Sequence, residues 1–196
     1  MTSTSAYSIL QARPDLDDCV IDQYPRDMPC IWQPTEGVPT RHLYPAALDF
    51  HMSRRMGGKV VTDCLRNTLG YLFVSARFRH VLESSAGVDI EYLPLRLINH
   101  KGRRQPGEFF IANVLGTLDC MDMQRSEYEP SALRKGEVFG LRKLELEVGR
   151  IEPSRNMFRL TTMPRLILVR QELVRAMEQA ALTGVAVSPV GASVDL

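Results

Sequence analysis

Apolar and polar positions change rhythm several times along the chain, and two stretches carry the clearest pattern. Tyr71-Leu72-Phe73-Val74 is an apolar run. Phe78, Val81, Leu82 and Ser85 follow at i, i+3, i+4 and i+7, and Ile90 to Ile98 alternates in part. The same rhythm returns in Leu166-Ile167-Leu168-Val169, in the stripe Leu173, Ala176, Met177, Ala180 and Ala181, and in Val185-Ala186-Val187. An apolar run, a helical stripe and a short alternating run together predict strand, helix, strand. Shifting by 95 residues (169 − 74) lays Val74 on Val169, Phe78 on Leu173, Leu82 on Met177 and Pro94 on Pro189 without a gap. The match is either an internal duplication or the chance likeness of two common units, and two copies are too few for a solenoid. On both readings these stretches hold the core, with helices near 75–85 and 170–182 packing through Phe78, Val81, Leu82, Leu173, Ala176 and Met177.

The remaining elements are read from stops and caps. Residues 60–69 predict a short helix stopped by Gly70, Ser75 is an N-cap, and Gly87 ends the helix that Ser75 begins. Pro94 makes 90–98 an edge or bent strand, joined through the basic turn at His100–Arg104 to a return strand starting at Phe109. Asn113 to Met123 reads as extended, Glu127 to Lys135 as a polar loop, and Leu144, Leu146 and Val148 as a strand with one wet face. Met157 to Leu160 is a further strand. The fold class is α+β: a mixed sheet with two strand-helix-strand units and a loop-rich N-terminal region. The expected organisation is an irregular region over 1–59 with short strands, an α+β domain over 60–190 and a loose tail over 191–196.

Residues 1–59 hold six of the 12 prolines, from Pro14 to Pro45, so short edge strands and turns are expected there rather than long helices or central strands. Trp32, the one tryptophan, followed by Gly37-Val38-Pro39, predicts a strand and turn packed on the main body. Burial is the expected state of Trp32, and exposure would mark it as a binding anchor. Arg54-Arg55-Met56-Gly57-Gly58-Lys59 fails as a phosphate loop, because Ser53 and Val60 stand where Gly and Ser or Thr are required. It reads as a flexible connection.

Composition narrows the function. Hydrophobic residues make up 44% and charged residues 24%, which fits a folded core. A net charge of +1 argues against a nucleic-acid binder. Met1-Thr2-Ser3-Thr4-Ser5 does not begin a secretory signal, and no apolar run reaches the roughly 20 residues of a membrane span. A cytoplasmic protein without membrane attachment is expected, with Cys19, Cys30, Cys64 and Cys120 reduced. His42, His51, His80 and His100 have no metal-ligand spacing, and neither a nucleophile elbow nor a glycine-rich dinucleotide motif occurs. No catalytic residue, metal or cofactor is therefore assigned. Asp49 with His51, or Cys120 with a distant histidine, would meet only through folding.

One resemblance adds a role. Asp63-Cys64-Leu65-Arg66-Asn67-Thr68-Leu69-Gly70, Glu91-Tyr92-Leu93-Pro94 and Asn99-His100-Lys101-Gly102 resemble the myxobacterial-type immunity family of bacterial polymorphic toxin systems. The likeness is clearest from Phe110 to Asp122 and recurs at Met157-Phe158-Arg159-Leu160, Leu168-Val169-Arg170 and Leu182-Thr183-Gly184-Val185. It covers about Val60 to Val190, with only Trp32 and Gly37 before that. Arg170 stands where the family usually has Ser, which removes the expected cap of the second helix. The resemblance implies a non-enzymatic protein that binds and neutralises a cognate secreted toxin, many such toxins being cytosolic nucleases.

Two acidic stretches are the candidate toxin contacts. Asp15, Asp17 and Asp18 lie in the acidic N-terminal region. Asp119, Asp122, Glu127 and Glu129 follow the extended segment and are slightly favoured, because a strand would hold them rigidly. The plain alternative is that both stretches are solvated loops. Two other function classes stay open: an enzyme with an unmotifed site, and a self-associating module of a secretion system. The sequence leaves the oligomeric state undetermined.

Overall fold

The computed structural model describes residues 6–194. Met1–Ser5, on which the reading of the secretory signal rests, and Asp195 and Leu196 lie outside the described residues. The strands are β1 (Tyr7–Ala12), β2 (Val20–Ile21), β3 (Leu48–His51), β4 (Cys64–Asn67), β5 (Phe73–Ser75), β6 (Ile90–Ile98), β7 (Phe109–Val114), β8 (Glu127–Pro130), β9 (Val138–Lys143), β10 (Met157–Arg159), β11 (Ile167–Arg170) and β12 (Val185–Pro189). The helices are α1 (Gln33–Glu36), α2 (Ala76–Ser85) and α3 (Gln171–Gln179).

Three sheets form. One has six strands in the order β2-β4-β5-β7-β6-β3 and mixes parallel with antiparallel pairs. A second has four strands in the order β10-β11-β1-β12, all antiparallel. The hairpin β8-β9 is the third. The chain is thus α+β and mostly sheet.

The two main sheets share one local layout. β5 leads into α2 and then β6, and both strands flank β7, so that Ile111 sits between Phe73 and Leu93. β11 leads into α3 and then β12, and both flank β1, so that Ile9 sits between Leu168 and Ser188. Leu168 and Ser188 lie 95 residues beyond Phe73 and Leu93 (168 − 73; 188 − 93), the offset read from the hydrophobic pattern. The middle strand comes from different parts of the chain: β7 returns directly from β6, whereas β1 comes from the N-terminal region.

Both faces of each main sheet are buried, which explains why their strands read as continuous apolar runs. Val74, Phe110 and Val169 face a core shared with Phe78 and Leu82 of α2 and with Leu173 and Met177 of α3. The alternate residues Phe73, Leu93 and Ile111 meet Ile21, Phe50 and Met52 from the N-terminal region. On the four-stranded sheet, Ile9, Phe158 and Leu168 meet Met121, Leu141 and Leu144 from the long 115–156 connection.

The two helices differ at their starts. The Ser75 hydroxyl accepts the Phe78 N–H at 3.2 Å and caps α2. Arg170 holds the same place before α3 in extended backbone and provides no side-chain cap. Asp63 joins the two helical regions. Its carboxylate accepts from the Ser75 hydroxyl at 2.6 Å, the Thr183 N–H at 2.9 Å, the Thr183 hydroxyl at 3.0 Å and Arg77 at 3.3 Å. Burial alone would raise the Asp63 pKa, but the hydrogen bonds from Ser75 and Thr183 and the Arg77 charge outweigh it and hold the carboxyl below the usual range.

Several local expectations are corrected. Residues 64–67 form strand β4 rather than part of a helix, because Cys64 and Leu65 bury opposite faces of a doubly covered sheet. β1 is a central strand, not an edge, and it ends before the first proline, Pro14. β6 is internal as well; β3 pairs with it only from Leu95 onward, so Pro94 sits where no β3 hydrogen bond is needed. Glu127–Pro130 is strand β8, paired with β9, not a loop. The strand expected at 144–148 lies earlier, at 138–143, and Val148–Arg150 is a 3-10 turn. Lys59 and Val60 both donate their N–H groups to the Asp17 carbonyl at 2.9 Å, which ties down the segment read as a flexible connection. The tail expected to be loose is held as far as Val194, whose N–H donates to the Arg142 carbonyl at 2.8 Å.

Candidate functional site

Arg159 is the largest fully buried side chain, with 0% of its surface exposed. It lies on β10 and, among the described residues, has no carboxylate partner. Its guanidinium donates instead to four backbone carbonyls: Val114 at 3.0 Å, Thr35 at 3.0 Å, Pro34 at 2.9 Å and Pro164 at 2.7 Å. Burial pushes its pKa down to about 10, which leaves the group charged at neutral pH. Four carbonyl dipoles replace the water a buried cation loses, and removing them would be costly. Between Phe158 and Leu160, Arg159 looks in sequence like a wet-face position. No local signal marks its burial, because three of the four carbonyls it meets, those of Pro34, Thr35 and Val114, lie far away in sequence.

This one side chain fixes the short helix α1. Gly37 closes α1 with a φ of +70°, and a Cβ there would lie 2.8 Å from the carbonyls of both Gly116 and Val114. Only glycine fits the turn and the close approach. Just before α1, Cys30 holds a positive φ of 43°, an uncommon backbone state for a non-glycine residue. The Tyr71 hydroxyl donates to the Ile31 carbonyl at 2.5 Å, and Thr35 donates to the Trp32 carbonyl at 2.6 Å. The backbone from Ile31 to Gly37 is therefore pinned at successive points.

Trp32 is 50% exposed on this pinned backbone and leads into α1, which overturns the expected strand and burial, while the turn stands at Gly37. Its position before a one-turn helix turns the indole outward. Ile31 and Tyr24 are exposed beside it, and across the groove Leu133 is 95% exposed. The groove has a volume of about 490 Å³, and Leu69 and Gly70 also line it. Arg134 bridges its walls through Glu36 at 2.7 Å and Glu137 at 3.3 Å. Arg165 also lines it and, among the described residues, has no ion-pair partner.

The acidic candidates differ in their partners and exposure. Asp119 pairs with Arg150 at 3.3 Å, and Glu129 with Arg142 at 2.8 Å. Asp122 accepts the N–H groups of Gln124 at 3.0 Å and Arg125 at 3.1 Å. Glu127 is exposed on β8. In the N-terminal group, Asp15 pairs with Arg13 at 3.2 Å and Asp17 is exposed. Asp18 is buried, and among the described residues its Oδ2 lacks a hydrogen-bond partner; burial first, then the Asp15 charge, raises its pKa.

The other chemistry-bearing groups are spent structurally. Burial pushes the thiols up, Cys19 to about 11 and Cys64 and Cys120 each to about 12, which makes them poor nucleophiles. Asp49 forms an ion pair with Arg96, and His100 hydrogen-bonds the Ser53 carbonyl at 2.9 Å. Among the described residues, no group of three or more His, Cys, Asp or Glu side chains is arranged to hold a metal ion. None of the described helices is long and apolar enough to cross a membrane.

No curated protein matches the chain. A family profile does, over residues 12–192, and the match takes in most of the N-terminal region where the resemblance read from sequence was loose. That span contains the pinned Trp32 segment, Arg159 and all three helices. The chain belongs to the Immunity protein family (Imm11), whose general role is toxin immunity.

Proposed function

We propose that the protein neutralises a cognate secreted toxin by stoichiometric binding that blocks the toxin's active site or substrate path. The family match over residues 12–192 is the observation that carries this reading. The protein acts in the cytoplasm, without catalysis, and its target is a nuclease or another enzyme that attacks the producing cell. Protection by mass action requires a free toxin fraction near zero, so the dissociation constant is nanomolar or tighter. A nuclease presents a basic, phosphate-binding surface. Of the acidic candidates, Asp17 and Glu127 are exposed and hold no ion pair among the described residues, and these two serve long-range attraction rather than a packed contact.

The test is co-expression with the toxin encoded by the adjacent gene. Co-purification in a one-to-one complex, with loss of toxicity and of enzymatic activity in the saturated complex, is expected. A toxin that keeps full activity when saturated would rule out occlusion.

A further inference from the structure

We infer that the groove between Trp32 and Leu133 is the surface that grips the toxin, and that it takes a protein segment presenting an apolar side chain next to a carboxylate. This rests on the toxin-binding reading and goes further by naming the face and the chemistry of its occupant.

Three observations converge. Trp32, Ile31, Tyr24 and Leu133 leave apolar surface exposed around one groove of about 490 Å³. Aromatic anchors set in such a depression are the usual energetic centre of a protein interface. The walls are also rigid before any partner arrives. Arg159 holds α1 through Pro34 and Thr35, and the same guanidinium holds Pro164, the residue preceding Arg165. Arg134 ties Glu36 of one wall to Glu137 of the other. A preformed groove loses little entropy on binding, which favours tight association.

Charge then selects the occupant. Arg134 is already matched by two carboxylates, so Arg165 is the cation of the lining that lacks an ion pair among the described residues. A partner carboxylate beside the apolar plug satisfies it. A basic plug would meet Arg165 with like charge and leave Trp32 poorly covered. Contact here is therefore apolar with one acidic neighbour, even where the wider toxin surface is basic.

The probe is the toxin encoded by the adjacent gene, with binding measured by surface plasmon resonance against Trp32→Ala, Leu133→Ala and Arg165→Glu. All three side chains are exposed, so thermal melts matching the parent protein serve as the folding control. Trp32→Ala is expected to weaken binding about 30-fold or more, as for an anchor residue. Arg165→Glu is expected to weaken it about tenfold or more, chiefly through faster dissociation. Binding of all three variants within twofold of the parent, while the parent still binds and protects, overturns this inference and leaves the toxin-binding reading intact. Failure of the parent to bind overturns both. If the parent self-associates in analytical ultracentrifugation and Trp32→Ala abolishes only that, the groove receives a second copy and the inference fails.

Discussion

The Arg159 guanidinium donates to the Pro34 carbonyl at 2.9 Å across 125 positions of sequence, so a strand buried in the second sheet sets the position of a surface helix. The contact ties a buried strand to the exposed Trp32, because the residue it holds lies two positions from that side chain.

Replacing Arg159 with Met removes the donor to four carbonyls at once while roughly keeping the side-chain length. The expected cost is about 3 kcal/mol or more, since each buried carbonyl left unpaired is costly. Chemical denaturation followed by circular dichroism measures it. Trp32 is the only tryptophan, so its fluorescence independently reports whether α1 has shifted. An unchanged midpoint and an unchanged emission maximum would refute the anchoring role.

Asp63 makes stability depend on pH, with a definite sign. Its folded pKa lies below the usual carboxylate value, so its contribution is fully present above about pH 4 and fades as pH falls through the lowered value. Asp63→Asn places an amide donor among the donors of Ser75 and Thr183. The variant is expected to melt lower at pH 7 and to show a flatter decline in Tm towards acid than the parent. Parallel Tm–pH curves would contradict this.

The shared core between the helices predicts large truncation costs. Leu82 and Met177 are 1% and 3% exposed, and changing either to Ala is expected to cost about 2–5 kcal/mol. Both residues pack in one cluster, so the double variant need not be additive. Urea unfolding of the two single variants and the double variant provides the test.

Asp18 predicts a gain. Its carboxylate is buried, and one oxygen has no hydrogen-bond partner among the described residues. Asp18→Asn removes the charge and keeps the shape, so Tm at pH 7 is expected to rise by a few degrees, about the effect of 1 kcal/mol. A lower Tm would show that Arg13, 3.9 Å away, compensates the charge after all.

Local signals made part of this fold readable. Ser75 as a cap and the spacing of Phe78, Val81 and Leu82 are contained within a single helix, and no distant partner is needed to interpret them. The alternation around Leu144 and Leu146 also gave their burial correctly, although the strand itself ends at Lys143. What escaped depends on distant pairing. β1 is a central strand only because β11 and β12 flank it, and the 64–67 stretch is a strand only because its sheet is covered twice. The groove was hidden for the same reason. Trp32 was legible as an anchor only on the condition of exposure, and that condition is set by Arg159 and Tyr71 from elsewhere in the chain. Among the acidic candidates, Glu129 and Asp119 are matched by Arg142 and Arg150, and no spacing rule places those arginines opposite.

The placement of β1 sets an order of events during synthesis. β1 is translated well over a hundred residues ahead of its ladder partners at 167–170 and 185–189. The first main sheet, whose strands all lie between Val20 and Val114, can close while the ribosome is still at work. Tyr7, Ile9 and Leu10 must meanwhile wait with their apolar side chains uncovered, and a nascent chain stopped before Ile167 has no strand to put on either side of them. Arg159, too, is translated long after the Pro34 carbonyl it fixes. The Trp32 groove therefore matures late, and a truncated product would fold one sheet while leaving the groove without its anchor.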